Sequence, residues 1–374
     1  MKKGTITGVM KYVAKILLGT RLKAFLKFNV YELMRNKTKR KALKEKCCST
    51  AKKAGKSNLA LYWDMIYKSF VTNADYMDYF EFSFYNKPLK VINRYMTRGR
   101  YSRLYPYFST YEVKKVMREK DLFLSVFKDY TRRDWLTLND DLTIGQLTEF
   151  TSKHGIFIAK PRSLNQGRGI EIVDVSGFQS MLELLVYLKA KNIFVIEEFV
   201  HNHDTLSKFS ANSLNVIRII TLRLPEGVEV ICSILRCNID GGFVDDFSPG
   251  IYECPIDIDE GIIIKGIRDN VNLEQYSARH PFGFDVVGIK IPYWKETLDM
   301  VKKAALTLDN VLFIPWDVAI SPGGPLIIEG NSNCGYDFSS IHDQLDTYKM
   351  IKQACKYAKK QAKGKASPVR TRKR

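Results

Sequence analysis

Residues 315–333 run PWDVAISPGGPLIIEGNSN, and in this largely apolar stretch the carboxylates of Asp317 and Glu329 and the amide of Asn331 stand out. Ser-Pro-Gly-Gly separates two strand-like runs, WDVAI and PLIIE, which predicts a hairpin. A turn centred on Gly323 pairs Asp317 with Glu329, Val318 with Ile328, Ala319 with Ile327 and Ile320 with Leu326. Side chains alternate along a strand, so Trp316, Val318, Ile320, Leu326 and Ile328 share one apolar face. Asp317 and Glu329 then fall on the other face, with Asn331 beyond them. Directly opposed residues have Cβ atoms roughly 4.5–5.5 Å apart, where like charges repel, so a cation is expected between them. Hard oxygen ligands of this kind suit magnesium, which completes its shell with water and substrate phosphate. The alternative is a surface hairpin with hydrated acids.

Two further stretches carry polar chemistry at strand ends. In GIFIAKPRSLNQGRGIEIVDV an apolar strand ends at Lys160, and a loop through Gln166, Gly167, Arg168 and Gly169 leads into the next strand. Glycines let backbone N–H groups approach a phosphate, and Lys160 offers a point charge to the same anion. The loop is neither a Walker loop nor a dinucleotide fingerprint, since it opens into a strand instead of a helix. A glycine-containing hairpin with a basic tip is the commoner explanation of the stretch taken alone. In NIFVIEEFVHNHD a strand turns acidic at Glu197 and Glu198 and leaves through Val200 towards Asp204. Exposed backbone there could pair with an adenine edge and the acid could accept ribose hydroxyls; an ordinary strand end is the alternative.

The order of these parts, followed by Asn215-Val-Ile-Arg218, Arg279-His280-Pro281 and the acidic hairpin, resembles the ATP-grasp superfamily. It is most similar to the sugar-transfer-associated branch, found among genes for bacterial surface polysaccharides. The likeness covers about 115–345. It implies an α+β ATP-grasp fold, two α+β subdomains with the nucleotide between antiparallel sheets, preceded by a helical, basic N-terminal region.

Position by position, the resemblance implies that Lys120 (in EKDLF) and Lys160 are nucleotide lysines. It implies that Gln166–Gly169 fold over the phosphates. Glu197, Glu198 and the backbone at Val200 would serve the adenine, and Asp204 the ribose. Asp317, Glu329 and Asn331 would hold one or two Mg2+ ions, and Arg218 would face the transferred phosphoryl group or acyl phosphate. Asp245, Asp246, Arg279 and His280 are candidate substrate contacts. The chain departs from the family pattern in having Asp245-Asp246 and Pro249-Gly250 where Asp-Asn and paired glycines are expected. It also has Pro315 where Gly usually precedes Trp-Asp. These changes bear on the acceptor more than on ATP.

The implied reaction is ATP- and magnesium-dependent joining of a carboxylate to an amine through an acyl phosphate, with sugar-linked substrates of capsule or O-antigen type. A kinase acting on a hydroxyl acceptor and a non-catalytic membrane- or nucleic-acid-binding protein are the competing readings. No GxSxG elbow or Cys/His pairing calls for a side-chain nucleophile.

The elements that must position these residues are legible too. Strand-like runs recur from about 155 onward, with helical stretches near 177–190 and 293–308, an α+β pattern with many antiparallel neighbours. Residues 31–75 look helical, and 76–110 are crowded with Tyr and Phe, which suggests an aromatic-rich core or a substrate-facing surface. The expected division is 1–60 basic amphipathic extension, 61–114 aromatic-rich subdomain, 115–348 catalytic domain and 349–374 basic tail. The tail fraying into QAKGKASPVRTRKR is expected to be disordered.

The net charge of +19 is uneven. Residues 1–56 hold 17 Lys/Arg against Glu32 and Glu45, and 349–374 hold 11 with no acid, so the body between them carries 19 − 26, or −7. Basic ends without a recognisable reading module make nucleic acid an unlikely partner. Lys11 and Lys15 interrupt the apolar run of the first segment, and Ile6, Val9, Met10, Val13, Ile16 and Leu17 recur at helical spacing. Residues 1–28 thus resemble a basic amphipathic helix able to lie on an anionic bilayer, or one docked on its own core. Seven scattered cysteines without a CxxC pair fit a reducing compartment, and the expected location is cytoplasmic.

Overall fold

The computed structural model describes residues 19, 21–23, 25–161, 169–210, 213–239, 250–269, 276–333 and 346–365. Most of the expected basic helix, the loop residues Gln166, Gly167 and Arg168, the pair Asp245-Asp246 and the end of the tail lie outside them. The chain divides into two units, Met1–Pro106 with Gly335–Lys356, and Tyr107–Cys334 with Tyr357–Arg374.

The first unit is helical. α1 (Lys37–Lys53) starts where the Asn36 side chain accepts from the Lys39 N–H, and it buries Leu43, Cys47 and Ala51 at four-residue spacing. α2 (Asn58–Thr72) is capped by Ser57 and ends at Asn73, which adopts the left-handed conformation at φ 54°. α3 (Tyr76–Glu81) carries a reciprocal capping box between Asp75 and Asp78. α4 (Arg98–Leu104) lies against the end of α2, where the Gly99 N–H donates to Asn73 O at 3.0 Å. A Cβ on Gly99 would stand 2.5 Å from that oxygen, so only glycine permits the approach. Tyr76, Tyr79, Phe80, Phe82, Phe84 and Tyr95 are buried together with Leu61 and Met65. The aromatic crowding is therefore core.

The second unit begins with α5 (Tyr111–Arg118) and α6 (Lys120–Val126) and then builds two antiparallel sheets. β1 (Trp135–Thr137), β2 (Ile156–Pro161), β3 (Glu171–Asp174) and β4 (Ile193–Glu198) assemble in the order β1-β4-β2-β3. Two helices, α7 (Ile144–Lys153) and α8 (Met181–Ala190), meet this sheet through Leu147, Phe150, Leu184 and Leu188 against Phe157, Ala159 and Ile196. Phe157 and Ala159 are buried, so Lys160 belongs to the opposite face.

The larger sheet contains β5 (Val216–Leu224), β6 (Gly227–Asn238), β7 (Ile251–Pro255), β8 (Arg268–Asp269), β9 (Phe313–Ser321) and β10 (Gly324–Gly330). Its order is β10-β9-β5-β6-β7-β8. Ile217, Ile219, Leu235, Cys237, Cys254, Trp316, Val318 and Ile320 join one core cluster with Val301 and Ala304 of α9 (Trp294–Ala304). The intervening residues of the same strands form the other face.

The hairpin differs from the expected register in an instructive way. Ser321 pairs with Gly324, so Pro322 and Gly323 are the loop, and Ala319 faces Leu326 while Val318 faces Ile327. A bulge at Ile328 then restores the pairing of Asp317 with Glu329. Ile327 replaces Leu326 and Ile328 on the core face. After Asp346 the chain continues as the helix Thr347–Lys365.

Candidate active site

Arg218 faces Asp317 across β5 and β9, and Asp317 faces Glu329 across β9 and β10, so all three lie on the non-core face of the larger sheet. The expected cation between the acids is in part Arg218 itself. Its Nε donates to Asp317 Oδ1 at 2.7 Å and its Nη2 to Oδ2 at 2.9 Å, a bidentate charge-assisted pair. Asn331 Nδ2 donates to Glu329 Oε1 at 3.1 Å and Asp317 Oδ2 at 3.3 Å. Asp317 is buried, whereas Glu329 keeps solvent access. Desolvation by the surrounding protein and then the charge of Asp317 push the Glu329 carboxyl up to about 7.

Opposed carboxylates at Asp317 and Glu329 favour a bound cation. Two carboxylates and an amide oxygen are the donor set that magnesium takes, so these residues fit a divalent cation. Gly330 explains the EGN spacing. A Cβ there would lie 2.8 Å from Met117 Sδ, 3.1 Å from Phe123 and 3.1 Å from Trp316, so no side chain fits between Glu329 and Asn331.

The smaller sheet supplies the lysine. Lys160 Nζ lies 2.6 Å from Glu197 Oε1, and Arg133 Nε lies 2.6 Å from Glu197 Oε2. Burial alone would raise the Glu197 carboxyl, but Arg133 and Lys160 outweigh it and hold the group at about 2. Arg133 extends further, donating from Nη1 to Ile327 O at 2.6 Å and from Nη2 to Ile328 O at 2.9 Å. One guanidinium thus links Glu197 to the bulged strand that carries Glu329. Lys120 Nζ donates to Pro161 O at 3.1 Å. Its ammonium is lowered by burial first and then by Lys160, while Glu329 and Glu197 pull it upward. Lys120 is therefore the electrostatic neighbour of both sheets' charged groups, which form one continuous constellation.

Glu198 at the end of β4 and Val200 just beyond it help line a cavity of about 360 Å³ with Arg133, Phe199 and the hairpin tip Ser321–Leu326. Lys160 and Asp317 do not line it. The His203 N–H donates to Ile320 O at 2.7 Å and ties this connection to β9. Asp204, exposed, begins a one-turn helix capped by His203. Asn215 of the NVIR motif donates to Leu206 O and Ser210 O, which gives it a part in holding the same connection. Gly169 alone of its loop is described, at φ 68°.

Arg279 and His280 are not brought into the constellation by any hydrogen bond or ion pair among the described residues. His280 is buried, stacked on Phe284 at 4.6 Å and edge-on to Phe209, and burial pushes its imidazole down to about 4. Arg279 is largely exposed beside Asp285. Among the described residues the contacts of His280 are with the aromatic rings of Phe209, Phe282 and Phe284.

Sequence reasoning missed Arg133 and the group Arg236, Glu253 and Arg268, all buried. Arg236 pairs with Glu253 and Glu253 with Arg268 across β6, β7 and β8. Glu253 lies 3.4 Å from Arg236 Nε and 3.1 Å from Arg268 Nη2. Leu235, Cys237 and Cys254 face the core, so this buried group continues the face of Arg218. The available signal was an arginine inside the buried run CSILRCN. A further group, Asp134, His154 and Glu198, brings ligating atoms within 4.8 Å of one another, with a 3.0 Å His154–Asp134 contact at the surface.

A family profile described as Sugar-transfer associated ATP-grasp matches residues 132–356, well over half of the chain. Among solved structures the chain is similar to the ATP-grasp ligase PsnB complexed with minimal precursor, at 13% identity and TM-score 0.40 over 68% of this chain and 64% of that one. It is also similar to the D-alanine-D-alanine ligase from Coxiella burnetii, at 11% identity and TM-score 0.43 over 72% and 69%. A third is D-cycloserine synthetase DcsG, at 10% identity and TM-score 0.40 over 68% and 73%. The chain covers less than two thirds of PsnB. No curated protein matches it.

Proposed function

Because the chain belongs to the sugar-transfer-associated ATP-grasp family, we propose that it is an ATP-dependent carboxylate–amine ligase. The carrying observation is the joint placement of Arg218, Asp317, Glu329 and Asn331 on one sheet face, with Lys120 within electrostatic reach of Glu329 and Lys160.

In this reading Lys120 and Lys160 bind the nucleotide's phosphates, with Gln166–Gly169 over them. The backbone near Val200 takes the adenine, Asp204 the ribose, and Glu197 orients Lys160 through the 2.6 Å ion pair. Asp317, Glu329 and Asn331 would hold Mg2+, which when bound neutralises phosphate charge. An acceptor carboxylate oxygen attacks the γ-phosphorus and ADP leaves. An amine nitrogen then attacks the acyl carbon, phosphate departs, and an amide remains. Arg218 stabilises the transferred phosphoryl group. Positioning and electrostatics do this work, without a side-chain nucleophile.

The substrate class we propose is sugar-linked, in bacterial surface polysaccharide synthesis, with residues 1–28 in peripheral contact with an anionic bilayer. Among the described residues no helix is long and apolar enough to cross a membrane.

The test is ADP release by purified protein with magnesium and panels of uronic acids, amino acids and amino sugars, with hydroxylamine as a trap. A hydroxamate is expected. A hydroxylamine-stable phosphate ester would make the enzyme a kinase, and undiminished turnover in Asp317→Asn and Glu329→Gln would refute the assigned site.

A further inference from the structure

The first unit contains a cavity that the reaction above does not use. Its volume is about 180 Å³, and it is lined by Arg21, Arg100, Arg103 and Lys352 with Asn73, Asn93, Val71 and Tyr348. Among the described residues four cationic side chains and no acid line it. Arg100 is 5% exposed and, among the described residues, makes its hydrogen bonds to neutral oxygens, the carbonyls of Ile92, Asn93 and Tyr95 and Asn93 Oδ1. Its guanidinium lies 4.5 Å from the Tyr348 ring centroid, and Lys352 Nζ lies 5.5 Å from the same ring. Burial pushes the guanidinium down to about 10, so it remains a cation at neutral pH. A buried charge is ordinarily paired. The nearby Asp78 carboxyl is raised well above its usual range by burial and then by Asp75, and it accepts from the Asp75 and Arg98 N–H groups.

A second observation is independent of charge. Asn73 lines the cavity, is 9% exposed, and its Oδ1 has no hydrogen-bond partner among the described residues. The residue is held in place by its carbonyl, which accepts from the Gly99 N–H and the Thr97 hydroxyl. A fixed, buried, unsatisfied amide beside four cations belongs to a site that lacks its ligand's polar groups.

We propose that this cavity binds a phosphate or diphosphate group, with an adjoining hydroxyl donating to Asn73. Arginine forks and lysine suit phosphate oxygens, and the space admits little more than the charged head of a larger molecule. The phosphate could belong to a soluble sugar phosphate or to a lipid headgroup. The proposal stands on the first unit alone and does not depend on the ligase reading.

The test is calorimetric titration of inorganic diphosphate into the full chain without magnesium. Arg103 and Lys352 are exposed, so the double variant Arg103→Ser/Lys352→Ser retains its core; it is expected to bind about tenfold weaker or less for each cation removed. Asn73→Asp keeps size and tolerates the left-handed backbone, and its added charge is expected to weaken binding similarly. Lys120→Ser/Lys160→Ser controls for the nucleotide site and is expected to bind diphosphate in the cavity as the wild type does. Unchanged affinity in the first two variants, or loss confined to the lysine pair, overturns the proposal. Sedimentation with phosphatidylcholine vesicles, with and without phosphatidic acid, separates the sources. Loss of phosphatidic-acid dependence in Arg103→Ser/Lys352→Ser assigns a headgroup, and unchanged sedimentation with lost diphosphate binding assigns a soluble phosphate.

Discussion

Arg218 and Asp317 form a bidentate pair, 2.7 and 2.9 Å, on the sheet face opposite the core, and both side chains are nearly excluded from water. Removing the arginine leaves a buried carboxylate beside Glu329. Arg218→Ala is therefore expected to cost about 3–5 kcal/mol of stability by chemical denaturation, as for other broken buried pairs. Added magnesium should narrow the deficit, since a second cation replaces the first. A loss below about 1 kcal/mol would show that the pair carries little of this energy.

Glu197 sets an acid limit. Its folded-state group sits near 2, below the ordinary value of 4.5, so its stabilising contribution is present above about 4.5 and is lost as pH falls towards 2. The shift corresponds to about 3 kcal/mol. The stability gap between wild type and Glu197→Gln should shrink across that window in urea denaturation measured at successive pH values. A gap independent of pH would contradict the assignment.

Glu329 has the opposite sign. Its group is raised to about 7, so the protonated form stabilises the fold, and that contribution is lost as pH rises from about 4.5 through 7. Glu329→Gln should raise the Tm above pH 7 and leave it unchanged below pH 4.5, with solvent access at Glu329 moderating the size. Magnesium should raise the wild-type Tm at pH 8 and raise that of Glu329→Gln much less.

Gly330→Ala places a methyl against Met117, Phe123 and Trp316 at 2.8–3.1 Å. Met117 can yield, but the two rings cannot. The expected cost is about 1–3 kcal/mol by thermal denaturation, with reduced magnesium response because Glu329 and Asn331 shift together. A variant with wild-type Tm would show that the rings move freely.

The larger sheet was legible where one strand's own alternation decided the outcome. Trp316, Val318 and Ile320 alternate with Asp317, and a glycine turn brings Glu329 opposite, so the acidic pair follows from local pattern. The bulge at Ile328 was not legible, because two compensating shifts preserve that pair and change only which apolar residues face inward. Arg133 was missed for a different reason. It precedes β1 in an unremarkable TRRDW run, and its partners Glu197 and the Ile327 and Ile328 carbonyls lie 64 to 195 residues away.

What the sequence determined alone is the inventory of short-range chemistry: which strand ends bear Lys160 and Glu197, which hairpin bears Asp317, Glu329 and Asn331, and where the Tyr- and Phe-rich stretch lies. Periodicity and turn residues act over a few residues, so a linear reading captures them. Only the tertiary structure decided that Glu197 is shared between two cations, that Arg218 neutralises Asp317, and that Arg100 and Asn73 meet at one cavity wall. Charges separated by tens or hundreds of residues become neighbours through sheet order and helix packing, and burial then sets how strongly they interact.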